Sequence, residues 1–265
     1  MAAPKTITSD IIQRLNAFNP ANGDMSEFDK ARLKRDIESL KSRDFARAMM
    51  VYGVFYALTA EEQKSIESHE ASLRGHSNNA IFLKNYAISL QSFGYFAKSF
   101  DLYAKAVAAS PGDRVAILKM CELVLRVGRL SDYLASLDQY RKATQDESIM
   151  EEALVKSVLE VKGMLKEMDL TDAQLTHAFG KVESVCRNYK VRPLGCNVYR
   201  QNSHGHDYLS LEVGVDCDGK TLAALNNSLA DAVAEDFEFE AWNKIVHMFI
   251  HLSKRHSTHA ELESA

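Results

Sequence analysis

Hydrophobic positions recur with a helical period through most of the chain and switch to a period of two beyond Pro193. Up to about Met25, Pro4, Pro20 and Gly23 surround a short apolar cluster of Ile11, Ile12, Leu15 and Phe18, which predicts a short helix followed by a loop, placed to cap what comes next. From Ser26, an N-cap residue, to Lys41, the positions Phe28, Leu33, Ile37 and Leu40 fall on one stripe and predict an amphipathic helix with one wet face. Phe45 to Leu58 is apolar around its circumference, with Met49, Met50, Tyr52, Val54, Phe55 and Tyr56, and is expected to be buried on more than one side. Thr59 followed by Glu62 reads as a capping box that starts another helix.

Ser148 to Met168 and Thr171 to Tyr189 each carry apolar residues at alternating steps of three and four: Leu154, Val158, Val161 and Leu165, then Leu175, Phe179, Val182 and Cys186. A short turn at Asp169 and Leu170 joins them, so an antiparallel helical hairpin is expected, its second helix opened by a capping box of Thr171 and Gln174. Beyond Pro193 and Gly195, the residues Leu209, Leu211, Val213, Val215 and Cys217 alternate with polar ones and predict a half-buried strand. Cys196 to Gln201 is its expected partner across a turn at residues 202–207. Thr221 to Ala234 reads as a helix on Leu222, Leu225, Leu229 and Val233. A third strand follows, in which Val246, Met248, Ile250 and Leu252 alternate with His247, Phe249 and His251. The fold class is therefore mostly α with a small strand–strand–helix–strand part.

Between these regions the pattern repeats about every 34 residues. In Ala80 to Asp113 a large-then-small pair, Tyr86 and Ala87, is followed by Leu90, a turn glycine Gly94, Phe96, Ser99, Tyr103, Ala106 and a closing Pro111. One period later Met120, Cys121, Gly128, Leu130, Leu137 and Tyr140 fill the same places; one period earlier come Tyr52, Gly53 and Tyr56, with His69 and Ser72 where an aromatic residue and an alanine belong. This ordered set, over residues 46–141, resembles the tetratricopeptide repeat. The resemblance implies stacked helical hairpins with a concave surface that holds a peptide or partner domain. The expected organisation is capping helices at 1–45, the array at 46–147, the helical hairpin at 148–192, an α/β module at 193–253 and a flexible tail at 254–265.

Composition narrows the function classes. The chain is 265 residues long, 46% hydrophobic, with a formal net charge of -4, which offers no general attraction for phosphate. Lys34, Arg35, Lys41 and Arg43 are interleaved with Asp29, Asp36, Glu38 and Asp44, a pair-laced solvated face rather than a nucleic-acid patch. Cys121, Cys186, Cys196 and Cys217 show no paired spacing, and the first ten residues show no signal-like pattern, so reduced thiols in a cytoplasm are expected, with no membrane span. His204, His206 and Asp207 offer three potential metal ligands in four residues, but Tyr208 stands where a metallo-β-lactamase motif needs aspartate, and turn chemistry accounts for them. His247 and His251, with His256 and His259, read as a surface cluster. Asp231, Glu235, Asp236, Glu238 and Glu240 read as solvated faces and loops.

No cofactor, metal or catalytic residue is expected, and the expected function is a non-catalytic scaffold or adaptor binding another protein or peptide. In the resemblance, the ligand-facing positions of the first helix of each repeat hold Lys84, Asn85, Ile88 and Gln91, then Leu118, Lys119, Glu122 and Arg126. Asn85 and Lys119 match two positions used by members that clamp a C-terminal carboxylate; Met50, Val54 and Val115 do not match the others. The rival readings are an enzyme or metal-binding protein centred on the C-terminal module, and a self-assembling homo-oligomeric subunit.

Overall fold

The structure, a computed structural model, describes residues 7–18 and 25–252. Pro4, Pro20, Gly23, His256 and His259 lie outside the described residues, as does the expected tail. Among the described residues the fold is mostly helical, with a small mixed sheet near the C-terminal end. Its contacts divide the chain into two units, between Pro111 and Gly112.

The first unit holds α1 (Ile7–Ala17), α2 (Glu27–Lys41), α3 (Phe45–Leu58), α4 (Glu62–Leu73), α5 (Ala80–Ser92) and α6 (Phe96–Ala109). Helices α3 and α4 form one hairpin and α5 and α6 the next, with α3 packed on α5 and with α1 and α2 closing the open side of α3. The core joins Ile11 and Leu15 of α1 to Leu33 and Ile37 of α2, to Val51 and Phe55 of α3, and to Phe82 of α5. Ser26 caps α2 by accepting from the Asp29 amide, as its position predicts. Of the charges interleaved along this stretch, Lys41 pairs with Glu38 at 3.3 Å, and Lys30 of the same helix pairs with Glu27 at 2.7 Å.

The second unit holds α7 (Arg114–Val127), α8 (Leu130–Thr144), a 3-10 turn (Glu147–Glu151), α9 (Ala153–Glu167), α10 (Asp172–Asn188), β1 (Pro193–Ser203), β2 (His206–Val215), α11 (Gly219–Ala234) and β3 (Ile245–His251). The sheet order is β1-β2-β3, antiparallel across β1 and β2 and parallel across β2 and β3, with α11 as the crossover. Helices α10 and α11 cover one face, where Val182, Cys186, Leu225 and Leu229 meet Val213, Val215 and Phe249.

The 34-residue period is geometric as well as chemical. Ala60, Gly94 and Gly128 all have left-handed φ angles, of 58, 81 and 74°, at the turn after the first helix of each pair. That conformation ends a helix sharply, and glycine adopts it without a Cβ penalty. A buried serine bond recurs at the same interval: Ser65 donates to the Gly53 carbonyl and Ser99 to the Ala87 carbonyl, each at 2.8 Å. Each holds the second helix of its hairpin against the first. His69 and Ser72, which depart from the repeat pattern, are fully buried. The His69 ring stacks on Tyr86 at 4.9 Å, and its Nε2 lies 2.8 Å from the Ser89 hydroxyl, so a polar pair fills the space of an aromatic side chain.

Three sequence expectations are corrected. Thr59 does not open α4: its hydroxyl donates back to the Phe55 and Tyr56 carbonyls and closes α3, while α4 starts at Glu62 without a side-chain cap. A threonine hydroxyl serves either role, and the left-handed Ala60 beside it decides for the end. The helix expected from Ser148 starts at Ala153, because Asp146 caps a separate 3-10 turn by accepting from the Ser148 amide. The turn expected over residues 202–207 shrinks to His204 and Gly205, both at positive φ, the geometry that matches strand twist in a two-residue hairpin. The sidedness of β3, which alternation alone leaves open, is set by its pairing. Parallel pairing aligns Leu211 with His247 and Val213 with Phe249, so Ile245, His247 and Phe249 face the helices and Val246 is left 36% exposed. The capping box of Thr171 and Gln174 forms as read.

Candidate functional site

The two sets of expected partner-binding residues are placed on one face each of α5 and α7. On α5, Ile81 and Ile88 are 58% and 52% exposed, two turns apart, with Lys84 and Asn85 between them and Gln91 one turn further, each half-buried. The Asn85 amide donates to the Ile81 carbonyl of its own helix at 2.9 Å. On α7, Lys119 is paired with Glu122 at 2.7 Å, and Leu118 is half-buried beside them. Arg126 is drawn away from that set: its guanidinium donates to the Leu194 carbonyl at 3.2 Å and approaches the Pro193 carbonyl at 3.5 Å, anchoring the start of β1.

A second concavity, in the C-terminal part, was not anticipated from the sequence. It is a cleft of about 620 Å³ between α11, the segment 236–244 and β3, with Leu229 and Val233 on one wall, Phe237 and Trp242 on the other, and Ile245 and His247 at its base. Phe237 is 97% and Trp242 65% exposed, a large apolar rim for a folded surface. Behind the cleft the Asp236 carboxylate accepts from Lys181 and from His177 Nε2, the latter at 2.6 Å, and Lys181 also donates to the Ala232 carbonyl at 3.0 Å. Asp236 is therefore no solvated loop acid. Lys181 and His177 hold its carboxyl down to about 2. The Phe239 ring lies between, 5.3 Å from the His177 ring and 5.7 Å from that of His247.

His247 is likewise no surface histidine. Its Nε2 is buried without a hydrogen-bond partner, and burial, with Lys181 nearby, lowers its pKa to about 4. Near neutral pH the His247 imidazole is therefore neutral and the Asp236 carboxylate ionised. Burial also pushes the Cys121, Cys186 and Cys196 thiols up to about 11, 12 and 12, far from thiolate reactivity.

At the β-hairpin, Asp207 is taken by Arg200 and by Asn202, the latter at 2.7 Å, beside the left-handed turn at His204 and Gly205. Among the described residues no group of three or more His, Cys, Asp or Glu side chains is placed to hold a metal ion, and no helix is long and apolar enough to cross a membrane. The cleft residues come from α11, the following loop and β3, with His177 and Lys181 of α10 behind them. The one local signal was the stretch Asp231 to Asn243, which combines Phe237, Phe239 and Trp242 with five acids and no basic residue. No protein-family model and no curated protein matches the chain.

Proposed function

We propose that the chain is a non-catalytic, cytoplasmic interaction scaffold of tetratricopeptide-like construction, which holds a partner protein or peptide on the outward face of its repeated first helices. The observation that carries this reading is the pair of exposed isoleucines, Ile81 and Ile88, aligned on α5, the first helix of the second hairpin of the first unit. Covering two isoleucine side chains that are more than half exposed contributes about 1 kcal/mol each, and Lys84, Asn85 and Gln91 beside them supply polar register. The recurrence of left-handed turns and buried serine bonds at 34 residues supports the repeat family. The carboxylate clamp is not part of the proposal, since Asn85 is engaged within α5 and Lys119 with Glu122.

The test is affinity capture with mass spectrometry, followed by binding measurements on the partner found. Reversing Lys84 and Lys119 together to glutamate is expected to weaken that partner by about 1–3 kcal/mol. Changing Ile81 and Ile88 to glutamate is expected to abolish capture. A folded Ile81→Glu, Ile88→Glu variant that binds as well as the native chain would refute this face.

A further inference from the structure

We propose that the cleft beside β3 binds an extended basic peptide segment of a partner protein, which adds to the open edge of the sheet at His247. Three independent features of the cleft converge on that occupant.

The first is the edge. Leu209 N donates to the Lys244 carbonyl and Leu252 N to the Val215 carbonyl, so the even-numbered residues of β3 bond to β2 and the odd-numbered ones point their amide and carbonyl groups outward. Ile245 N is occupied by the Ala241 carbonyl at 2.9 Å. Asn226 of α11 covers both backbone groups of Phe249, accepting from its N–H at 2.8 Å and donating to its carbonyl at 3.0 Å. The side-chain amide thus does what a neighbouring strand would do. His247, between the two, keeps its N–H and carbonyl toward the cleft, bonded neither to β2 nor to Asn226. The backbone groups left open at His247 can bond an added strand as an uncovered edge does.

The second feature is the apolar rim. Phe237, Trp242 and Val246 are exposed around a space large enough for two or three side chains of a strand lying along β3. The third is charge. Asp231 to Asn243 carries five acids and no basic residue; Glu235, Glu238 and Glu240 are exposed, while Lys181 is spent on Asp236 and Lys244 donates to the Met168 carbonyl. A rim of that sign repels nucleic acid and anionic lipid and attracts lysine and arginine. A small apolar ligand would use the aromatic residues and leave both the edge and the acids idle. A basic strand uses all three.

Trp242 is the sole tryptophan of the chain, so its emission reports on this cleft alone. The probe is an amidated octapeptide alternating lysine with leucine, titrated into the full chain. It is compared with a glutamate–leucine analogue and with the lysine–leucine peptide N-methylated at alternate residues, which keeps the side chains but removes amide donors. The expected result is a saturable blue shift with the first, none with the second, and at least about tenfold weaker binding of the third. Phe237→Ala, at a side chain 97% exposed and free of the core, and the double change Glu238→Lys, Glu240→Lys are each expected to weaken binding about tenfold with the far-ultraviolet spectrum unchanged. Reversal of Lys84 and Lys119 is expected to leave it untouched, which separates this site from the helical groove. Equal binding of the glutamate peptide, indifference to N-methylation or to the rim changes, or no emission shift at millimolar lysine–leucine peptide would overturn the proposal.

Discussion

Replacing Gly53 by alanine tests whether the buried His69 pocket is as tightly built as the geometry indicates. A glycine inside an α-helix normally costs about 1 kcal/mol relative to alanine, so the exchange by itself would stabilise α3. Here a Cβ on residue 53 would stand 2.5 Å from His69 Nε2 and 2.6 Å from its Cγ, about 1 Å inside van der Waals contact. The ring has little room to retreat, because it is stacked on Tyr86 at 4.9 Å and bonded to Ser89 at 2.8 Å. Overpacking costs about 1–3 kcal/mol and a buried hydrogen bond that breaks about 1–3 more, against the 1 gained from propensity. Gly53→Ala is therefore expected to destabilise the protein by about 1–5 kcal/mol. Gly163 of α9 and Gly180 of α10 are the controls, since nothing lies within 4 Å of a Cβ at either; alanine there should stabilise by about 0.5–1 kcal/mol. Urea unfolding followed by far-ultraviolet circular dichroism reads all three. Adding His69→Ala to Gly53→Ala should cost less than the two single changes summed. If Gly53→Ala raises the midpoint as the controls do, the packing of His69 against α3 is wrong.

Two further outcomes follow from the same structure. His69 and His247 are held neutral by burial, with pKa values near 3 and 4 against 6.5 for the exposed imidazole; the unfolded chain then binds more protons below 6.5, so their contribution is complete above that pH and is lost as pH falls through it, by about 2 kcal/mol each near pH 5. Urea midpoints across this range measure it, and a His69 ring resonance that titrates near pH 6.5 would contradict it. Asn226→Leu removes both bonds to Phe249 and is expected to destabilise the α/β part by about 1–3 kcal/mol, read by Trp242 emission in urea, with an unchanged midpoint showing that the edge bonds do not matter.

Local patterning alone determined the helices of the repeat region, the 34-residue turn spacing, the Thr171–Gln174 cap, and the change to strands at Pro193, because each depends on residues within a few turns of one another. Where two local signals competed, as at Thr59 and Ser148, the neighbouring backbone decided between them. The sidedness of β3 was beyond the sequence: strand alternation shows that two faces differ, and only the parallel register with β2 selects which one meets the helices. That register turns His247 and Phe249 toward the helices and leaves Val246 exposed. The cleft was hidden for the same reason. His177 and Lys181 of α10, Asn226 of α11, Asp236 of the following loop and His247 of β3 lie far apart along the chain, and the crossover through α11 brings them together beside the sheet. Similarly, Gly53 and His69 are two unremarkable positions until the α3–α4 hairpin closes them on each other, since contact across helices depends on packing rather than on any period along the chain.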